Sequence, residues 1–187
     1  MEMALQQYSA DFLMDRGYTL VQPPLMMNRE AYEGVTDLSD FETVMYGIEP
    51  DGYYLIATSE HPLTAMRMDE VIEPSELPVK LVGVSPCFRR EVGAHGLSDR
   101  GIWRVHQFTK IEQIVICHPD DSWEHHEELL QNAVDLWDSL GLHYRVVNIC
   151  TGDMGTVAEK KYDLEDWLPG AGSYKEVVSC SYCTDYQ

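Results

Sequence analysis

Two β-branched, apolar runs on either side of a glycine-punctuated loop constrain this chain's fold more than any other feature. Val79–Val84 is the first run, and Ile102–Phe108 followed by Ile111–Cys117 is the second. Between them lies Gly93-Ala-His-Gly-Leu-Ser-Asp-Arg-Gly101. Such runs read as strands, and a loop so rich in glycine argues for a hairpin-like connection rather than a crossover helix. Helical patterns lie apart from this centre. Met3–Arg16 carries Leu5, Tyr8, Phe12 and Leu13 and stops at Gly17; Asn28 can cap a short helix through Tyr32. Thr58 or Ser59 can open a helix holding Leu63, Met66 and Met68, with Pro62 in its first turn. Asp121-Ser-Trp-Glu124 has capping-box spacing ahead of an apolar face of Trp123, Leu129, Leu130, Ala133, Leu136, Trp137 and Leu140, closed by Gly141. Tyr18–Val21, Tyr53–Ile56, Tyr144–Ile149 and Tyr174–Ser179 read as further strands. The prediction is one α+β domain with a largely antiparallel sheet. Neither a Gly-x-Gly-x-x-Gly nor a Gly-x-x-x-x-Gly-Lys-Ser/Thr phosphate loop occurs.

Charge narrows the partners. The chain has 13 basic and 32 acidic residues, a net charge of −19, which opposes non-specific binding to DNA or to anionic membranes. No apolar run approaches the roughly 18 residues of a membrane span. The N-terminus, MEMALQQYSADFLMDRG, carries acids where a targeting peptide carries bases, so a soluble, cytoplasmic chain is expected. Spread acidity of this kind suits a surface adapted to high salt. Against that background, Lys80, Arg89, Arg90, Arg100, Arg104 and Lys110 share one window with only Glu91 and Asp99, a local balance of +4. A chain that avoids cations has gathered them here, and a polyphosphate is a natural ligand for them.

The five cysteines, at 87, 117, 150, 180 and 183, are odd in number and fit reduced, packed thiols. Cys180-Ser-Tyr-Cys183 has metal or redox spacing, but no second such pair accompanies it. His125 and His126 flank the apolar face of their helix and read as packing residues.

Alternation along the second strand sets Arg104, His106, Phe108, Lys110 and Glu112 on one face. That face is polar apart from Phe108, a poor lining for a core. An arginine, an aromatic ring and a carboxylate in a row suit an adenine nucleotide beside an amine-bearing substrate. Phe108 can stack on the base, Arg89 and Arg104 can hold phosphates, and Glu112 can pair with an ammonium.

These residues resemble the catalytic domain of bacterial-type seryl-tRNA synthetase, a class II aminoacyl-tRNA synthetase, and the acidity is similar to that of a halophilic archaeal member. Arg89-Arg-Glu91, the loop, and Arg104-Val-His-Gln-Phe-Thr-Lys-Ile-Glu112 resemble the second class motif. Gly17-Tyr-Thr-Leu-Val-Gln-Pro-Pro24 resembles the first, which forms the dimer interface in the family. Thr58-Ser-Glu60 resembles the serine-binding Thr-x-Glu loop. Cys150–Gly155, Tyr162–Gly170 and Glu176–Gln187 are similar to later family segments, in the same order.

The resemblance implies a mixed, mostly antiparallel class II sheet flanked by helices, and a site residue by residue. Arg89 would hold the α-phosphate and the reacting carboxylate, Glu91 the adenine amino group, and Val105 a backbone contact. Phe108 would stack on adenine and Arg104 would reach the terminal phosphates, with Arg90 an added cation beside Arg89. Thr58, Ser59, Glu60 and Glu112 would form the serine pocket. Glu176 and Ser179, with Val177 and Val178 between them, would hold Mg²⁺ on ATP. The implied activity is ATP-dependent activation of serine and its transfer to tRNA(Ser), and also to tRNA(Sec), by a homodimer. The family's N-terminal helical arm for tRNA and its glycine-rich third class motif are not found in these 187 residues, so a catalytic-domain fragment is expected. A non-catalytic, binding or regulatory paralogue is the alternative.

Overall fold

Val79 stands opposite Ile116, and the pairing runs unbroken to Phe88 opposite Gln107. These two ten-residue strands, β5 (Val79–Phe88) and β6 (Gln107–Ile116), are the antiparallel pair that the sequence pattern predicts. The structure, a computed structural model, describes residues 1–37, 42–91 and 103–184. The glycine loop Gly93–Gly101 and the expected strand start at Ile102 lie outside the described residues. Trp103–His106 is turn and bend, so the second strand begins at Gln107 and joins both apolar runs into one element. The polar Thr109-Lys110 step separates those runs in the sequence but not in space, because ladder hydrogen bonds do not depend on side-chain polarity.

The chain divides into two compact units, the first reaching Ile116 and the second beginning at Cys117. In the first, β1 (Thr19–Val21) lies parallel on the free edge of β5, with Thr19 opposite Leu81. A small antiparallel sheet sets β4 (Tyr53–Leu55) between β2 (Met26–Asn28) and β3 (Gly47–Ile48). Helix α1 spans Glu2–Met14, followed by Gly17 at φ +87. Only part of its expected apolar stripe is covered: Leu13 is buried and Phe12 half-buried, while Leu5 and Tyr8 are exposed and Ser9 and Ala10 are buried instead. Helix α2 (Arg29–Glu33) starts as predicted, Asn28 Oδ1 accepting from the Ala31 N–H at 2.8 Å. Helix α3 covers Glu60–Ala65. Met27, Tyr32, Met45 and Ile56 form the core beneath it.

The second unit is a sheet in the order β7 (Tyr144–Asn148), β8 (Lys160–Leu168), β9 (Ser173–Tyr182), antiparallel throughout, with helix α4 (Ser122–Leu140) packed on β8 and β9. Strand β8 is hidden in the sequence by its charges, Lys-Lys-Tyr-Asp-Leu-Glu-Asp, although Leu164 anchors it with almost no exposure. The capping box does not form, since Asp121 makes no side-chain cap bond. A preceding 3-10 turn does that work: His118 Nδ1 accepts from the Asp120 N–H and Ser122 Oγ donates to the Pro119 carbonyl. Gly141 closes α4 in the left-handed region at φ +66, as predicted. His126 is buried, bonded to the Cys180 carbonyl at 3.1 Å and stacked on Tyr162, a packing role. Trp123 and Leu140 lie exposed at the two ends of α4, so only the middle of the predicted face is covered.

Candidate active site

The site in the first unit depends on a close approach. Where β5 passes the start of α3, a Cβ on Gly83 would lie 2.7 Å from Leu63 Cδ1 and 3.0 Å from Ser59 Oγ. Only glycine lets the Thr58-Ser59-Glu60 segment press onto the strand. Gly83 is paired with Glu112, so the approach delivers Thr58 to Glu112. From beneath, buried Tyr32 braces the segment, its hydroxyl donating to the Leu55 carbonyl and accepting from the Ala57 N–H, each at 3.3 Å. Burial pushes the Tyr32 hydroxyl up to about 12, so it remains a neutral strut.

At the contact, Thr58 Oγ1 receives two donors, the Lys110 Nζ and the Glu60 N–H, both at 3.3 Å. The hydroxyl proton is left for Glu112 Oε1 at 2.8 Å. Lys110 is also ion-paired with the same Glu112 oxygen. Glu60, at the first turn of α3, keeps surface open to solvent. Partial desolvation, then the charge of Glu112, pushes its carboxyl above the ordinary range, while Lys110 and Arg89 pull it back. His61, buried and edge-on to Tyr32, is driven down to about 3 by burial and by Lys110 and Arg89. It is neutral at any ordinary pH. Ser59 is fully buried against Gly83, so its side chain packs the loop rather than facing the site.

Beyond the end of β5, the Arg89 guanidinium lies over the Phe108 ring, 5.3 Å from its centroid, with Nε donating to the Ala57 carbonyl at 3.0 Å. Phe108 is half-buried and not sealed in a core. The Arg89 N–H still reaches the His106 carbonyl at 3.0 Å, carrying the pairing past the strand. Phe108, Lys110 and Glu112 share one face of β6, as alternation requires. Arg104, Val105 and His106 precede the strand, so alternation does not govern them. Arg104 is exposed and pairs with Glu91 at 3.1 Å, and Val105 is exposed beside it. His106 shares a short hydrogen bond with Tyr46, whose ring also lies 5.5 Å from the Arg90 guanidinium. Arg90 thus points to Tyr46 and away from the Arg89–Phe108 pair. Sequence reasoning missed Gly83, His61 and the bracing Tyr32, and it gave Lys110 no task. A glycine inside a β-branched run was the one available signal, for Gly83.

In the second unit, β9 carries Glu176, Val177, Val178 and Ser179. Residues three apart on a regular strand face opposite ways. Here Leu164 pairs with Val178 while the adjacent Glu165 pairs with Glu176. This bulge at Val177 resets the alternation and turns Glu176 and Ser179 to the same face. Register adds Asp163 opposite Ser179 and Glu165 opposite Glu176. Asp163 is buried, with Oδ2 3.3 Å from Lys161 Nζ and Oδ1 without a hydrogen-bond partner among the described residues. A carboxylate and a hydroxyl are hard oxygen ligands suited to Mg²⁺. Among the described residues no three His, Cys, Asp or Glu side chains gather as a self-sufficient cation cage, so an ion there would need ligand oxygens from its substrate. None of the five cysteines is in a disulfide, and burial pushes the Cys87 thiol up.

Residues 44–187 match the tRNA synthetase class II core domain (G, H, P, S and T). The chain is 63% identical over its whole length to a serine–tRNA ligase of Methanocorpusculum labreanum, and spans 44% of that protein. Among solved structures, the seryl-tRNA synthetase of Pyrococcus horikoshii complexed with ATP aligns with TM-score 0.95 and 51% identity, over 98% of this chain and 41% of that one. The cytoplasmic serine–tRNA ligase of Naegleria fowleri in complex with AMP aligns with TM-score 0.93 and 47% identity, over 98% and 40%. The chain therefore spans less than half the length of the relatives it matches.

Proposed function

This chain belongs to the class II tRNA synthetase core family, and from that premise we propose that the protein carrying it activates serine with ATP and charges tRNA(Ser), and tRNA(Sec), with it. The observation that carries this reading is the Thr58–Glu112 hydrogen bond beside Glu60, on the same face of β6 as a Phe108 ring capped by Arg89. Glu112 receives the substrate ammonium, and Thr58 and Glu60 shape the space around the side chain. Phe108 stacks on adenine, Glu91 and the Val105 backbone read its edge, and Arg104 leaves Glu91 for the terminal phosphates.

With both substrates aligned, a serine carboxylate oxygen forms a bond to the α-phosphorus as the bond to pyrophosphate breaks. Arg89 holds the charge that builds on the α-phosphoryl oxygens, a contribution of position and electrostatics with no covalent enzyme intermediate. A ribose hydroxyl of the tRNA then attacks the adenylate carbonyl and AMP leaves. Mg²⁺, when bound, neutralises phosphate charge. Glu176 and Ser179, turned together by the bulge, are its proposed ligands. The exposed Met3, Leu5, Tyr8 and Leu20 on and beside α1 support a homodimer through that element. No helix among the described residues is long and apolar enough to cross a membrane, which agrees with a cytoplasmic site of action. The −19 charge supports a salt-adapted member of the widespread synthetase type.

Serine-dependent exchange of pyrophosphate into ATP by the full-length protein tests the reading. Exchange with serine, well above alanine or threonine, is expected. Binding of serine and ATP with no exchange would overturn it in favour of the non-catalytic paralogue.

A further inference from the structure

Lys110 is the one side chain on the Phe108–Glu112 face to which serine activation assigns no task. Its ammonium is ion-paired with Glu112 Oε1 and lies 3.3 Å from Thr58 Oγ1, so it binds both partners of the pocket's central hydrogen bond. An alkylammonium is the same chemical group as the α-ammonium of an amino acid. The groups gathered around it come from every neighbouring element: Glu112 on its own strand, Thr58 and Glu60 from the loop and first turn of α3, His61 from α3, and Cys87 and Arg89 from the end of β5. Two carboxylates sharing one site cannot both stay ionised without a counter-charge. Lys110 is that counter-charge, and its side chain is 33% exposed where that of Glu112 is 16%. Of the two, Lys110 is the side chain more open to solvent.

We propose that Lys110 is a positioning residue of the amino-acid pocket, whose ammonium stands in for the substrate ammonium, orienting Thr58 and Glu112, and gives up that place when the substrate binds. The inference rests on the serine-activating function proposed above. Binding then exchanges one ammonium for another with no proton released or taken up. The Michaelis constant for serine is accordingly flat with pH wherever serine itself does not titrate. Without Lys110, Glu60 loses a charge that draws its carboxyl down, so protons compete more strongly with an incoming ammonium at the pocket.

The test uses the full-length protein. In Lys110→Met, KM for serine should rise as pH falls where wild type does not, by at most about tenfold per pH unit. KM for ATP should stay within about threefold of wild type, since phosphate and adenine contacts lie elsewhere on the face. Lys110→Arg should restore the flat profile. A flat serine profile in Lys110→Met would overturn the proposal. So would a loss shared equally by serine and ATP at every pH, which would mark a structural role. A second measurement needs no turnover: reductive methylation read by mass spectrometry. Glu112→Gln should raise the modification rate of Lys110 at least about threefold by removing its anionic partner. An unchanged rate overturns the stand-in contact, even if the wild-type protein proves unable to activate serine. Absence of exchange by the wild type sinks the parent function alone, and a wild-type exchange rate beside a flat Lys110→Met profile sinks only this inference.

Discussion

The middle of the β5–β6 pair and the chain just beyond its Phe88–Gln107 end each carry a cation beside a carboxylate, and their exposures are nearly the same. Lys110 and Glu112 have side chains 33% and 16% exposed; Arg104 and Glu91 have 37% and 17%. What differs is how much else depends on each pair. Glu112 is fixed to Thr58, Thr58 to the backbone of Glu60, and that whole segment to β5 through the missing side chain of Gly83. Arg104 and Glu91 stand outside the strand ladder and, among the described residues, are joined only to each other. The Thr58–Glu112 contact is built to hold a geometry, and the Arg104–Glu91 pair to let go of a partner. Solvent exposure alone does not distinguish these roles.

The sharpest way to break the comparison is at Gly83. Gly83→Val would drive a side chain into Leu63 and Ser59, at a cost of roughly 3 kcal/mol of stability. Urea unfolding should register that loss, and serine activation should fall further than the unfolded fraction explains. A variant of wild-type stability would mean that the approach of α3 to β5 is not tight. Next in size is Glu112→Gln, which keeps the shape and removes the charge. It should lower kcat/KM for serine by roughly a hundredfold, the cost of stripping one partner from a buried charge pair, and erode the preference over alanine. Unchanged serine kinetics would move the amino-acid pocket elsewhere.

The difference between the two pairs also marks what the sequence discloses. Strand pairing, the Asn28 cap, the Gly141 stop and the convergence of Arg89, Phe108 and Glu112 could be read from residue spacing and from the resemblance, because each follows from local period or a short motif. Gly83, His61 and Tyr32 act through contacts with residues distant in the chain, and no local pattern signals such packing. Strand β8 was hidden for a related reason. Charged residues stand on both sides of buried Leu164, and Asp163 is itself buried, so the run reads as loop until the pairing is seen. The bulge at Val177 is a property of pairing, invisible in one strand's sequence, yet it is what makes Glu176 and Ser179 neighbours on a face.

A smaller effect separates the pocket through pH. His61 sits near 3 in the folded chain against an ordinary value of 6.5. Between those values the unfolded chain binds a proton that the native chain refuses. The contribution is therefore complete above about pH 6.5 and is lost as pH falls, by up to about 1.4 kcal/mol per unit. Comparing urea midpoints of the wild type and His61→Gln from about pH 7 to about pH 4.5 isolates it, because titrations elsewhere cancel. The wild type should lose stability more steeply with acid. Parallel slopes would show that His61 protonates in the native state, and that the floor of the pocket admits charge or water.

The smallest expected effect on stability lies at the Arg104–Glu91 pair. A double-mutant cycle on Arg104→Ala and Glu91→Gln should return a coupling of about 0.5 kcal/mol or less, as for other solvent-screened pairs. The same Arg104→Ala change should raise KM for ATP by roughly tenfold, the worth of one charge-assisted phosphate contact, while leaving KM for serine nearly unchanged. That split is what a releasable pair predicts: Glu91 keeps Arg104 near the nucleotide without binding it tightly enough to compete with phosphate. A coupling above about 2 kcal/mol would place Arg104 in the same class as Glu112, held in position rather than on call. In that event the contrast between the two carboxylates would fail, and Arg104 would have to be argued as part of the fold's framework.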